Sequence, residues 1–473
     1  MLESANPELA TTVVIPCHNG ITDTRACIQT LLGQAGSKPA EIILVDNAST
    51  DGTKDLASPP LCIRVLRQAT NTGFAAAVNT GLAAAKTPLV LVLNNDTLAG
   101  PQLLARLQAA LGSDPRIALV APVSNHVKGP ARMPLGDRGT TAEGRSEIEA
   151  LLAQACPGKL EDVETLSGLC LLFRRSLLEE VPGFDAAFGL GNFEDDDFCL
   201  RVRLCGHRLV IARDAFVHHH GHRTFQALGI DYQAAIRDRQ ETFTKKWQHD
   251  AAGAAVVARL AGDWSATEAA ARRALHERPA WPDAHFLLGR ILASRGESAA
   301  AILHLQAFLA RCPHHGEAAV LLGLQQLRQG ESARGLETFR HAFADLWIGD
   351  ELGAVALAQL ARWCLDHKRL GEAVAHATDA LELLPDDAGL RNLLGVTLME
   401  SGDLTRAEAT FHSAVALANQ DAKKNLGVCL WRQGQIGPAL RAMAEAVAEH
   451  PGDSQALANL RQARAAAELV TGR

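Results

Sequence analysis

Aromatic side chains are scarce in this 473-residue chain, at 4% of residues with a single tyrosine. Alanine and leucine abound instead, most of all after residue 250, and that bias points to helices. The ten cysteines form no C-x-x-C pair and no zinc-like spacing. Several, including Cys62, Cys170 and Cys429, stand in apolar runs, so buried free thiols in a reducing compartment are expected rather than disulfides. Positive charge is not in excess. The net charge of −7 removes the electrostatic case for a nucleic-acid partner. No apolar run approaches the roughly 20 residues needed to span a bilayer. The opening MLESANPELATT has neither the basic nor the apolar region of a signal peptide. A cytoplasmic protein is expected, with peripheral attachment at the inner membrane face left open. G-x-G-x-x-G and G-x-x-x-x-G-K-[ST] are both missing, which excludes the usual dinucleotide and P-loop sites.

Length alone suggests two to three domains, and two grammars divide the chain. The first half alternates short β-rich runs with helical stretches. Thr11–Pro16, Glu41–Asp46, Leu61–Leu66 and Leu89–Leu93 are apolar almost throughout, as central strands covered on both faces must be. A helix is predicted around Thr24–Gln34. Right-handed βαβ crossovers follow from such alternation, and ligands of such sheets bind beyond the carboxyl ends of strands. The first, second and fourth of those strands end in polar clusters: Pro16-Cys17-His18-Asn19, Asp46-Asn47-Ala48-Ser49-Thr50-Asp51, and Asn94-Asn95-Asp96-Thr97. A further cluster, Asn71-Thr72-Gly73, leads into a helical run. Val127–Arg145, rich in Gly, Pro, Arg and Thr and without periodicity, is expected to be a long mobile loop, a candidate lid.

Further on stand four acids, Glu194-Asp195-Asp196-Asp197, at the predicted start of a helix, and then His218-His219-His220. Acids in a first helical turn are favoured by the macrodipole alone. They also offer a general base or a cation site. On a strand, alternate residues share a face, so His218 and His220 are expected together with His219 pointing away.

The second half repeats. Leu288-Gly289, Leu322-Gly323, Leu394-Gly395 and Leu426-Gly427 are each followed at fixed steps by a small residue (Ala301, Gly335, Ala407, Ala439) and a large apolar one (Leu305, Phe339, Phe411, Met443). Pro313 and Pro451 close two of the units, and Pro279 and Pro385 close two degenerate ones. This is the tetratricopeptide pattern, in which small residues let paired helices approach. Leu336–Glu351 is the least regular stretch, where a longer turn or an insertion is expected. The tail from Ser454 reads as a capping helix. The division is drawn as 1–245 and 246–473.

The ordered set IPCHN, VDNASTDGT, NTGFAAAVNTG, LNNDT, SGLCLLFRR, GFDAAFGLGNFEDDDFCLR and VHHHGHRT resembles the family 2 glycosyltransferases, inverting enzymes of the GT-A fold, and most of all their rhamnosyltransferase-like subgroup. The resemblance covers about residues 11–225. It implies an α/β nucleotide-sugar domain, a mixed and mainly parallel sheet with helices on both faces, ahead of an all-α tetratricopeptide solenoid. It implies that Asp195, with Glu194 beside it, supplies the base that deprotonates the acceptor. Donor contacts would come from Pro16, Asn19, Asp46, Asn71, Gly73, Asn79, Asn95 and Gly168, with Asp46 accepting from the nucleobase. Asp96 would hold a divalent metal, Mn2+ or Mg2+, helped by His218 and then His220. A full DXD motif has two acids, whereas Asn94-Asn95-Asp96 has one, which puts the affinity and identity of the metal in question.

The implied partners are a UDP- or dTDP-sugar donor, an acceptor peptide, protein or glycan, and a protein held by the repeats. Homodimerisation through the repeats is an alternative use of them. Other readings are a cell-surface polysaccharide transferase docked by its repeats, a scaffold with a decayed transferase domain, and a nucleotide-sugar sensor.

Overall fold

The structure is a computed structural model and describes residues 7–56, 62–221 and 231–471. By packing, the chain divides into two compact units. One comprises Met1–Gln329 with Glu337–Trp347, and the other comprises Gly330–Leu336 with Ile348–Arg473. The cut by packing therefore falls inside the repeats, whereas the change of sequence grammar lies near 245.

The first unit is built on a nine-stranded sheet among the described residues, ordered β3-β2-β1-β4-β8-β6-β9-β5, with β7 paired to β9. Its strands are β1 Thr11–Cys17, β2 Glu41–Asp46, β3 Ile63–Arg67, β4 Leu89–Leu93, β5 Thr97–Ala99, β6 Ile117–Ser124, β7 Leu160–Asp162, β8 Cys170–Arg174 and β9 Arg208–His219. The third strand begins two residues later than predicted, and Leu61 lies outside the described residues. Pairing is parallel from β3 to β4, then antiparallel at β4–β8 and β8–β6 and parallel again at β6–β9. The sheet is thus mixed, and its parallel part holds the predicted strands.

Alternation explains why those strands read as continuous apolar runs. Val13 and Ile15 enter one core with Cys27, Ile28 and Leu31 of α1 (Ile21–Leu32) and the leucines of α3 (Leu103–Gly112). Val14 and its neighbours Ile43 and Val92 enter the other, with α2 (Phe74–Ala84), α4 (Ala142–Ala155) and Phe198 of α6 (Glu194–Leu204). Helix α5 is the short Leu177–Glu180. The expected loop at 127–145 ends earlier: Gly136–Thr140 is a 3-10 turn, and Thr141 caps α4 by accepting from the Gly144 amide. Two cysteines, Cys62 and Cys205, are exposed, against the expectation for Cys62; all ten are free.

The repeat pattern has a direct steric cause. A Cβ on Gly289 would stand 2.9 Å from Leu305, one on Gly323 2.9 Å from Phe339, one on Gly395 2.5 Å from Phe411, and one on Gly427 2.6 Å from Met443. Each glycine is the floor on which its unit's large residue rests. The supposedly irregular stretch is mostly helical: Ser332–Asp345 runs through it, and Asp350–Asp366 follows after a short connection. The last described residues form the helix Ser454–Thr471.

The first repeats share a core with helices of the sheet domain. Phe188, Leu200, Phe243 and Trp247 share a cluster with Ala251, Ala270, Trp281, Leu287 and Ala301. Buried and half-buried charges cross the same seam. Arg203 pairs with Asp283, Glu164 with Arg259 at 3.3 Å, and Asp162 accepts from the His314 amide at 2.8 Å.

Candidate active site

The carboxyl ends of β1, β2 and β4 open onto one cleft of about 660 Å3, and α6 brings the acid run to it. A tight turn delivers that helix. Gly189, Gly191, Asn192 and Phe193 all have positive φ, at 62°, 131°, 76° and 66°. A left-handed phenylalanine costs on the order of 1–2 kcal/mol, spent immediately before the acids. Gly73 has φ 85°, and a Cβ there would lie 2.1 Å from the Gly189 carbonyl oxygen. Only glycine lets the start of α2 touch this turn.

Asp195 faces the cleft half-buried. One carboxylate oxygen accepts from the Gly168 amide at 3.0 Å and the other from the Asp196 amide at 3.0 Å. Burial raises its pKa above the usual carboxylate range. Asp196 rises to about 7, through burial and then the charge of Asp195. Glu194 is 6% exposed, and its Oε2 has no hydrogen-bond partner. Burial, then Asp195, lifts it well above an ordinary glutamate.

Because its folded pKa lies above its unfolded one, Glu194 favours folding at low pH and loses that contribution as pH rises through the folded value. Glu194→Gln is therefore expected to raise the melting temperature at pH 8, by about 2–4 °C per kcal/mol relieved. The gain should fade towards pH 4. An unchanged or lower melting temperature at pH 8 would contradict this account of Glu194.

The fourth acid is different. Asp197 is 0% exposed and accepts from the Trp247 indole at 2.9 Å, from Lys246 at 2.7 Å and from Arg201 at 2.8 Å. It ties α6 to the helix Tyr232–Trp247, so its presence argues for structure rather than for chemistry.

Asp96, 9% exposed, lines the same cleft. The histidine that meets it is His219: its Nε2 is 3.2 Å from an Asp96 carboxylate oxygen. His219 Nδ1 lies 2.7 Å from the His126 carbonyl oxygen. A carbonyl only accepts, so Nδ1 carries the proton and the Nε2 lone pair of the neutral ring points at Asp96. An imidazole lone pair and a carboxylate facing one another at this distance are bridged by a proton or a cation. Burial lowers the His219 pKa, but the hydrogen bond and charge of Asp96 more than offset it, and the net shift is upward. Asp96 moves downward: burial raises it, and His219 outweighs that.

The predicted alternation holds, but it is His219 that lines the cleft. His218 and His220 have rings 5.0 Å apart, and neither lines it. His218 is 1% exposed, does not line the cleft, and is pushed down to about 4 by burial and by His220. The face is set by β5 pairing antiparallel with β9, which puts Thr97 opposite His219.

Of the expected donor contacts, Pro16, Asn71, Gly73, Asn95 and Gly168 line the cleft. Asn19, Asp46 and Asn79 do not. Asp46 is 0% exposed, accepts from the Ser49 amide at 2.8 Å and pairs with Arg67, so it shapes the loop after β2 instead of facing a base. Asn79 exchanges both amide groups with the Phe184 backbone, at 2.6 and 2.8 Å. Asn19 accepts from the Thr50 amide at 2.8 Å.

Sequence reasoning missed His126, Lys128 and Arg132, which bring basic groups to the cleft from the loop after β6. The arginine content of that loop was the available signal. It also missed Asn47, whose amide donates to Asn71 at 2.8 Å and accepts from the Thr72 amide at 2.8 Å.

Residues 12–181 match the model of glycosyl transferase family 2, and residues 253–316 and 365–424 match tetratricopeptide repeat models. The chain is 32% identical over 225 residues to the pre-mycofactocin glycosyltransferase of Mycobacterium tuberculosis, covering 45% of this chain and 43% of that protein. It is 30% identical over 226 residues to the same organism's N-acetylglucosaminyl-diphospho-decaprenol L-rhamnosyltransferase, covering 41% of this chain and 71% of that one. It thus spans less than half the length of the first and about seven-tenths of the second. Among solved structures, GalNAc-T7 with UDP, GalNAc and Mn2+ superposes with a TM-score of 0.36 at 17% identity, over 44% of this chain and 43% of that one. Among the described residues no helix is long and apolar enough to cross a membrane.

Proposed function

Because the chain belongs to glycosyl transferase family 2 and carries tetratricopeptide repeats behind that domain, we propose that it is an inverting glycosyltransferase. It moves a sugar from a nucleoside-diphosphate donor, UDP or dTDP, to a hydroxyl or thiol of an acceptor positioned with help from the repeats. The observation that carries this reading is Asp195, fixed by the Gly168 amide in the same cleft as the facing pair Asp96 and His219.

Asp195 takes the proton of the acceptor group as its oxygen or sulfur attacks the anomeric carbon, and the bond to the nucleoside diphosphate breaks on the opposite side. The raised pKa makes Asp195 a stronger base than a solvated aspartate, and the two backbone amides keep it oriented. Lys128, Arg132 and His126 lie where they can offset charge on the departing diphosphate. Asp96 and the Nε2 of His219 fit a divalent cation, since two inward-facing acceptors need a positive partner. Such an ion, when bound, supplies further charge neutralisation to the diphosphate. Asn95 and Asn71 offer polar contacts to the donor, and Asp46 acts through the loop it holds.

His219→Ala should weaken Mn2+ affinity measured calorimetrically with nucleotide present, by at least about 10-fold. His218→Ala should leave it near the parent value. The reverse order would remove His219 from the site.

The acceptor side is walled by Leu190, Phe193, Ile236 and Leu260, and Leu260 belongs to the helix Ala251–Leu260 at the start of the repeats. Leu190 and Leu260 are about 40% and 45% exposed. This apolar rim supports an acceptor with an apolar portion, such as a peptide side chain, and supports a part for the first repeat in holding it. The test of the reaction type is the anomeric configuration of the product, read by NMR immediately after donor turnover. Inversion is expected, and retention would refute the single displacement.

A further inference from the structure

The second compact unit holds a set of ligating atoms that the transfer reaction does not use. Cys364 stands in the last turn of the helix Asp350–Asp366. Glu372 and His376, four residues apart, lie on one face of the next helix, Leu370–Leu383. Lys368, in the left-handed region at φ 58°, turns the chain between them. The Cys364 thiol, a Glu372 carboxylate oxygen and a His376 ring nitrogen all lie within 4.8 Å of one another.

Two of these groups have ordinary explanations. Cys364, at 0% exposure, could be a core thiol, and Glu372 is ion-paired with Arg369 at 2.6 Å. The third has none on one side of its ring. Glu372 is exposed and His376 half-buried, but the His376 Nδ1 is itself buried and has no hydrogen-bond partner. A buried polar atom left unsatisfied costs about 1–3 kcal/mol, so this imidazole, whose ring brings a nitrogen close to the thiol and the carboxylate, has a ligating position to spare.

We propose that Cys364, Glu372 and His376 form a zinc site, with a water as fourth ligand. The donor set selects the ion. Thiolate and imidazole exclude magnesium and calcium, which take oxygen ligands, and three mixed ligands with one open position suit tetrahedral zinc. Bond lengths of about 2.0–2.3 Å require the three groups to draw together from the outer limit of their present spacing. Both Glu372 oxygens now accept from Arg369, at 2.8 and 2.6 Å, and one of them would be given up to the ion. The thiol proton passes to solvent as the sulfur–zinc bond forms. The ion would pin two antiparallel helices beside their turn and so stiffen the unit.

The test uses the full chain carrying Asp96→Ala, so that the transfer site does not add to the stoichiometry. Metal-free protein is titrated with Zn2+ against a chromophoric chelator, and with Co2+ while its optical spectrum is recorded. One equivalent should bind, with a thiolate-to-cobalt charge-transfer band. Cys364→Ser should abolish the band and weaken Zn2+ binding by at least about 100-fold, beyond what loss of an outer-shell partner costs. Cys17→Ser, which removes the thiol in the catalytic cleft, should change neither. Should Cys364→Ser not fold, His376→Gln and Glu372→Gln give the same reading through a loss of affinity. No thiolate band, a band that survives Cys364→Ser, or Zn2+ affinity indifferent to all three substitutions would overturn the proposal.

Discussion

Asp195→Asn is expected to lower turnover by about 10^2–10^4, the usual worth of a positioned general base, with donor affinity close to that of the parent. The asparagine keeps the shape and can still accept from the Gly168 amide, but it cannot take the acceptor's proton. Asp96→Ala should do the reverse in kind: it removes the carboxylate facing His219 Nε2, so metal-dependent nucleotide binding falls before chemistry is reached. The parent's acid limb in kcat/KM should lie above the range of an ordinary aspartate, because burial raises Asp195 and Asp196 titrates near 7 beside it. Adjacent carboxyls of this kind titrate as a set. If both variants lose binding and turnover in the same proportion, the division of labour between Asp195 and Asp96 is wrong.

The second large effect concerns where the chain can be cut. A chain ending after Trp247 should not fold, although every candidate catalytic residue precedes that point. The cut uncovers Phe188, Leu200, Phe243 and Trp247, and it removes Trp281, Leu287 and Leu288 from the same core. Burying one large apolar side chain is worth about 1.5–3 kcal/mol, so losing cover over four exceeds much of a net stability of about 5–15 kcal/mol. The cut also strips Arg203 of Asp283, and orphaning a buried charge costs about 3–5 kcal/mol. A chain ending after Trp347 keeps the whole first unit and should fold cooperatively and bind nucleotide. Circular dichroism melts of the two chains separate the outcomes. A well-folded chain of residues 1–247 would show that the first repeats are an independent module. If the later repeats recruit the acceptor, the 1–347 chain should also show a raised acceptor KM.

The strands Thr11–Cys17, Glu41–Asp46 and Leu89–Leu93 were legible because both their faces are buried, which leaves no polar residue to break the run. The repeats were legible because each glycine must make room for one large side chain, a constraint written at fixed spacing. The histidine facing Asp96 was not. Alternation gives parity, and only the pairing of β5 with β9, between segments more than a hundred residues apart, says which parity faces the cleft. Asp46, Asn79 and Asp197 show the same limit. Each is a polar residue in a suggestive place, and each is consumed by local structure: Ser49 and Arg67, the Phe184 backbone, and Trp247 with Lys246. The union of the first repeats with the sheet domain was hidden for a related reason, since its ion pairs join residues far apart in sequence.

Calorimetric titration of the full chain with UDP, dTDP and GDP, each with and without Mn2+, tests the central claim most directly. It asks about the donor site without requiring the sugar or the acceptor to be known. The account predicts that a pyrimidine nucleoside diphosphate binds, that binding depends on the metal, and that Asp96→Ala and His219→Ala both weaken it. Equal and metal-independent affinity for all three nucleotides, or no binding of any, would contradict it.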